Sequence, residues 1–172
     1  DAQAVAALIK VLEDVEQEPM VRHEAGEALG AIGKEDLLPI LEKYKQDANI
    51  DVAQTCEIAV DRIKWLHSKS DEEPLSKSLY KSVDPAPPAP LDDITKLRKL
   101  LLDENESLFV RYRAMFALRN IGTAEAVAAL GAGLKCKSAL FKHEIAFVLG
   151  QLQDKETVPF LRESLEDIGE NE

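Results

Sequence analysis

The chain has 172 residues, 45% of them hydrophobic and 5% aromatic, with 8 Gly; that suffices for one ordinary domain or a short repeat array, and its Ala, Leu, Ile and Val favour helix over strand. Its formal net charge is −11, with the acid spread along the chain, which argues against nucleic acid as a partner and for a basic protein or cationic side chain. No apolar run approaches the roughly 18 residues of a membrane-spanning helix, so no membrane partner is expected.

In chain order, Ala2–Asp14 predicts a first helix. The segment from Pro19, PMVRHEAGEALGAIG, predicts a second, with Pro19 in the first turn and Gly33 as C-terminal cap. Val21, Ala25, Ala28, Leu29 and Ile32 would share its apolar face. A partner helix follows at Leu37–Gln46, then a fainter copy of the second, NIDVAQTCEIAV, from Asn49. Residues 68–90 hold five of the chain's eight prolines and break the periodicity, so they read as an extended, flexible linker. Beyond it, LFVRYRAMFALRNIG from Leu108 predicts a helix with Phe109, Met115, Phe116 and Ile121 on one face and Gly122 as its cap. Ala124–Leu134, LFKHEIAFVLGQLQ from Leu140, and Thr157–Asp167 complete the series.

Three of these segments align in one register. His23, Tyr112 and His143 are equivalent; Arg22, Arg111 and Lys142 precede them, and Leu29, Leu118 and Leu149 follow six residues later. Gln54 takes the place of His23 in the fainter copy. Positions 23 and 54 are 31 residues apart, as are 112 and 143. Such a period, with small residues at Ala25, Ala28, Ala59, Ala114 and Ala117 for close packing, indicates an all-α array of helical hairpins, an α-solenoid. It falls into two halves, 1–67 and 91–172, joined by the linker 68–90. Asp1–Pro19 also aligns with Asp154–Glu172, Leu12 matching Leu165. That offset predicts one further His-Glu pair upstream of residue 1 and another shortly after residue 172. A first residue other than Met agrees with a stretch taken from something longer.

The chemistry-bearing feature is the pair of steps His23-Glu24 and His143-Glu144. Taken singly, a His-Glu step on a helix is more often a polar surface pair. Here two of the three histidines are followed by Glu, and both steps fall at the same repeat position. Imidazole with carboxylate is the mixed nitrogen and oxygen set suited to iron, manganese or zinc. His67 beside Trp65 reads as structural or solvent-facing, and Met20 and Met115 as core. Arg111, Arg113 and Arg119 are expected to pair with neighbouring Glu and Asp. Cys56 and Cys136, far apart among apolar neighbours, read as buried thiols in a reducing, cytoplasmic setting. There is no P-loop, no dinucleotide-binding glycine pattern and no convincing Ser-His-Asp arrangement.

The segments PMVRHEAGEALGAIG, SVDPAPPAP, RYRAMFALRNIG and LFKHEIAFVLGQLQ closely resemble those of the deoxyhypusine hydroxylase family, and the resemblance runs through the whole chain, linker included. It implies HEAT-like hairpins in two halves, with four His-Glu pairs gripping two ferrous ions. It implies an O2-dependent monooxygenase that hydroxylates the deoxyhypusine residue of translation initiation factor 5A to hypusine. His23-Glu24 matches the family's second pair and His143-Glu144 its third. The resemblance thus implies iron ligation by His23, Glu24 and His143, with Glu144 either a ligand or a second-sphere carboxylate that binds the amine-bearing substrate. The first and fourth pairs are absent from this chain, so as a monomer it is expected to bind iron weakly or not at all. Self-association of two copies is one way to complete the ligand set. Two other readings stay open: a non-catalytic HEAT-repeat scaffold that binds proteins, and a phycobilin-lyase-like repeat enzyme without iron.

Overall fold

The structure, a computed structural model, describes residues 2–68 and 78–170. Among these the chain is all-α: α1 Ala2–Glu13, α2 Pro19–Ile32, α3 Leu38–Tyr44, α4 Ile50–His67, α5 Ile94–Leu102, α6 Leu108–Ile121, α7 Ala124–Gly133, α8 Ala139–Leu152 and α9 Val158–Glu166. Short 3-10 turns, Glu35–Leu37 and Lys155–Thr157, lead into α3 and α9.

The termini follow local chemistry. Asn49, Asp93, Ser107, Thr123 and Ser138 each precede a helix and accept hydrogen bonds from backbone N–H groups of its first turn. These donors have no partner within the helix, so each cap satisfies one that would otherwise be orphaned. Helix α2 instead carries Pro19 in its first turn. Gly33 and Gly122 end α2 and α6 in the left-handed region, as the sequence predicts, and Gln153 does the same for α8 with φ 49°.

The chain divides into two compact units. One holds α1 to α4 with Ser82–Ala86; the other holds α5 to α9 with the chain from Pro87 and residues 78–81. In the first, α2 lies against α1 and α4, and α3 backs α4. Its core comprises Leu12, Ala25, Leu29, Leu37, Leu41, Val52, Cys56, Ala59, Val60 and Ile63. In the second, α6 packs against α5, α7 and α8, and α9 rests on α7. One bond repeats in both units. Arg22 Nε donates to Leu12 O at 3.0 Å and Arg111 Nε to Leu101 O at 3.0 Å, so each arginine ties its helix to the C-terminal end of the preceding one.

Several expectations need correction. The buried side of α2 is Arg22, His23, Ala25, Gly26, Leu29 and Gly30, whereas Val21 is 44% and Ile32 38% exposed. Two polar residues lie inside because each has a bonded partner there, which an apolar count cannot register. Met20 is half exposed and not core, while Met115 is fully buried. Leu165, aligned with buried Leu12, is exposed: α2 covers Leu12, whereas α9 packs on α7 and the adjoining turn. Apart from these corrections, Arg119 donates to oxygens of Gln151, Asn120 and Ser78, and its guanidinium lies 4.7 Å from each of the Tyr80 and Phe116 rings. Arg111 sits over the Phe141 ring at 4.4 Å.

Of the expected linker, residues 69–77 lie outside the described residues. Its later part has no helix yet is anchored. Asp84 O accepts from Arg62 Nε at 3.1 Å, Ala89 N–H donates to Arg113 O at 2.9 Å, and Ala86 is fully buried.

Candidate metal-ligand pairs

His23, Tyr112 and His143 each stand fifth in a 14-residue helix, and Glu24, Arg113 and Glu144 stand sixth. The shared register does not give a shared environment. His23 is 4% exposed and Glu24 is exposed; His143 is exposed and Glu144 is 8% exposed. The cause is which neighbouring helix covers each position. Helix α4 packs on α2 over His23. The sixth residue of α4, Thr55, is 4% exposed and meets the ring: His23 Nδ1 lies 2.6 Å from Thr55 Oγ1. Helix α8 also packs on α6, and by register Tyr112 takes the place of His23 and Glu144 that of Thr55. Glu144 is therefore buried as a sixth-position residue beneath its neighbour.

Gly26 and Gly30, one and two turns beyond His23 on the same face, allow α4 to come this close. A Cβ on Gly30 would lie 2.7 Å from Ala59 Cβ, and one on Gly26 would lie 3.3 Å from Thr55 Cγ2. Glycine inside a helix costs about 1 kcal/mol relative to alanine, so two of them on one face signal a close approach. The sequence shows that spacing, but the register of His-Glu steps does not draw attention to it.

On the other side of the ring, His23 Nε2 lies 3.9 Å from Glu24 Oε1 and 3.8 Å from Glu27 Oε2. Glu27, one turn after His23, has no part in a His-Glu step. Burial pushes its carboxyl above the ordinary range, and the Glu24 charge adds to that. Two carboxylates next to an imidazole nitrogen make this corner attractive to a cation. Among the described residues, no group of three or more His, Cys, Asp or Glu side chains is already gathered in metal-holding geometry. His23-Glu24 belongs to the first unit and His143-Glu144 to the second.

The remaining candidates are structural. His67 Nε2 lies 2.9 Å from Gly33 O, at the end of α2. Cys56 and Cys136 are buried, free thiols. No helix of the described residues is long and apolar enough to cross a membrane.

Comparison with known proteins agrees with this architecture. The family model for HEAT repeats matches residues 1–61 and 94–170. The chain is 58% identical to deoxyhypusine hydroxylase of Drosophila melanogaster over 173 residues, covering 100% of this chain and 57% of that protein. It is 56% identical to the Gallus gallus protein, over 99% of this chain and 56% of the relative, and 55% identical to the Homo sapiens protein with the same coverage. The solved structure of human deoxyhypusine hydroxylase superimposes with a TM-score of 0.92 at 56% identity, over 99% of this chain and 59% of that one. The chain thus spans a little over half the length of the curated relatives it matches. It belongs to the HEAT-repeat family and is a homologue of the deoxyhypusine hydroxylases.

Proposed function

We propose that the protein to which this chain belongs is an O2-dependent monooxygenase that hydroxylates the deoxyhypusine residue of translation initiation factor 5A to hypusine. In this reading two ferrous ions are held by four His-Glu pairs, two of which this chain carries. The observation that carries it is the His23 environment: a buried imidazole whose Nδ1 is engaged by Thr55 and whose Nε2 faces two carboxylates. A ligating imidazole normally has its other nitrogen hydrogen-bonded in this way, which fixes the ring and raises its basicity. Nitrogen and oxygen donors of this kind fit ferrous iron, so the residues present suit the ion that the relatives imply.

The chain's own groups divide the work. His23 Nε2 and Glu24 would ligate one ion, and His143 a second. Glu144, buried at the sixth position of α8, would hold the cationic amine of the deoxyhypusine side chain and set its carbon chain in place. The bound iron supplies the oxygen activation that no side chain can. The net charge of −11 would draw in a basic loop of the substrate protein. Two free, buried cysteines suit the reducing cytoplasm.

The test is iron content and hydroxylation of the deoxyhypusine form of the factor, measured on the protein carrying all four pairs. His23→Ala and His143→Ala should each lose iron and activity together. Full iron in both variants would overturn the reading, whereas a protein with all four pairs that binds no iron would favour a scaffold.

A further inference from the structure

Thr55 Oγ1 has two contacts. It lies 2.6 Å from His23 Nδ1 and 2.8 Å from the carbonyl oxygen of Asp51, one turn earlier on α4. A threonine hydroxyl has a single proton, and a carbonyl oxygen can only accept. The proton therefore goes to Asp51 O, and the imidazole must be the donor in the other contact. We infer that Thr55 is a positioning residue for His23: by accepting from Nδ1–H it excludes the tautomer protonated on Nε2 alone and turns Nε2 toward Glu24 and Glu27. This rests on the reading of His23 as a metal ligand, since a bare Nε2 is the form that can bind a cation.

The surroundings hold the hydroxyl in place. Thr55 and His23 are each 4% exposed, so water does not compete for the bond. The threonine is β-branched, which restricts its χ1, and its bond to the carbonyl four residues back selects the rotamer that aims Oγ1 at the ring. Gly26 leaves room for the methyl group, and Gly30 brings α4 within reach. In the second unit the equivalent positions hold Tyr112 and Glu144.

The first experiment is long-range 1H–15N NMR of the His23 ring in the metal-free 172-residue chain, recorded at about pH 8. The expected signature is a protonated, hydrogen-bonded Nδ1, in wild type and in Thr55→Ser. Thr55→Val keeps the shape, removes the acceptor and should give a mixture of tautomers. A wild-type ring protonated on Nε2 alone overturns the inference without any variant. The second experiment measures iron retained under chelator challenge by the protein carrying all four pairs. Thr55→Val should weaken retention by about 10–100-fold, and Thr55→Ser should restore it. Wild-type retention in Thr55→Val would overturn the positioning role. Iron binding that survives His23→Ala would overturn the ligand reading instead, and the NMR signature would still report on Thr55 alone.

Discussion

Arg22 grips the Asp47 carboxylate with both prongs of its guanidinium, Nη1 to Oδ1 at 3.1 Å and Nη2 to Oδ2, while its Nε donates to Leu12 O. Both charged side chains are under a tenth exposed. Asp47 also accepts from Asn49 N–H at 2.9 Å, and Asn49 caps α4. One residue pair thus connects α1, α2 and the start of α4, the helices that build the His23 corner.

Asp47→Asn should therefore destabilise the chain strongly. Removing one partner of a buried pair strands the other charge and costs about 3–5 kcal/mol. The Arg22 hydrogen bond holds the Asp47 carboxyl below the usual carboxylate range. Its stabilisation is thus present above the unfolded pKa of about 4 and is lost as pH falls through the folded value. Urea unfolding at pH 7 and across the acid range should show a low midpoint in the variant and a smaller loss on acidification than in wild type. An unchanged midpoint at pH 7 would contradict this.

Gly30→Ala should lower stability even though alanine is the better helix former. The added methyl would meet Ala59 Cβ at 2.7 Å and Ala59 Cα at 3.1 Å, so α2 and α4 must part. Overpacking of that kind costs about 1–3 kcal/mol, against a propensity gain of up to about 1 kcal/mol. Gly26→Ala has its tightest contact with the Thr55 methyl at 3.3 Å, with Cys56 Sγ at 3.6 Å and Leu12 Cδ1 at 3.9 Å, and should be milder. Thermal melts order the three proteins, and a Tm for Gly30→Ala above wild type would refute the close approach.

Cys56 should be inert in the folded chain. Burial pushes its thiol up to about 12, and the Asp47 charge adds to the effect. The thiolate is the reactive form, so labelling by a disulfide reagent at about pH 8 requires unfolding. Mass analysis of labelled peptides should find Cys56 modified only at the unfolding rate, with no acceleration between about pH 7 and pH 9. Rapid native labelling would show that the thiol is accessible.

The helices were legible in the sequence because a 3.6-residue period, a proline in a first turn and glycines just past the ends act locally. Pro19, Gly33 and Gly122 stand where that logic puts them. The register of His23, Tyr112 and His143 was equally legible, since a repeat leaves its spacing in the chain however the helices are later packed. Helix α5 had no such copy to mark it, although Leu101 now matches Leu12 as acceptor of an arginine Nε–H.

Tertiary structure decided which members of the repeated steps are inside. Periodicity describes a helix face, but burial depends on which neighbour covers that face. The same position is therefore buried at His23 and exposed at His143, with the reverse at Glu24 and Glu144. The bond from His23 to Thr55 spans 32 residues and needs two helices close enough to exclude a methyl group at Gly30. Local propensity can supply the residues for such a contact, but only packing can bring them to within 2.6 Å of each other.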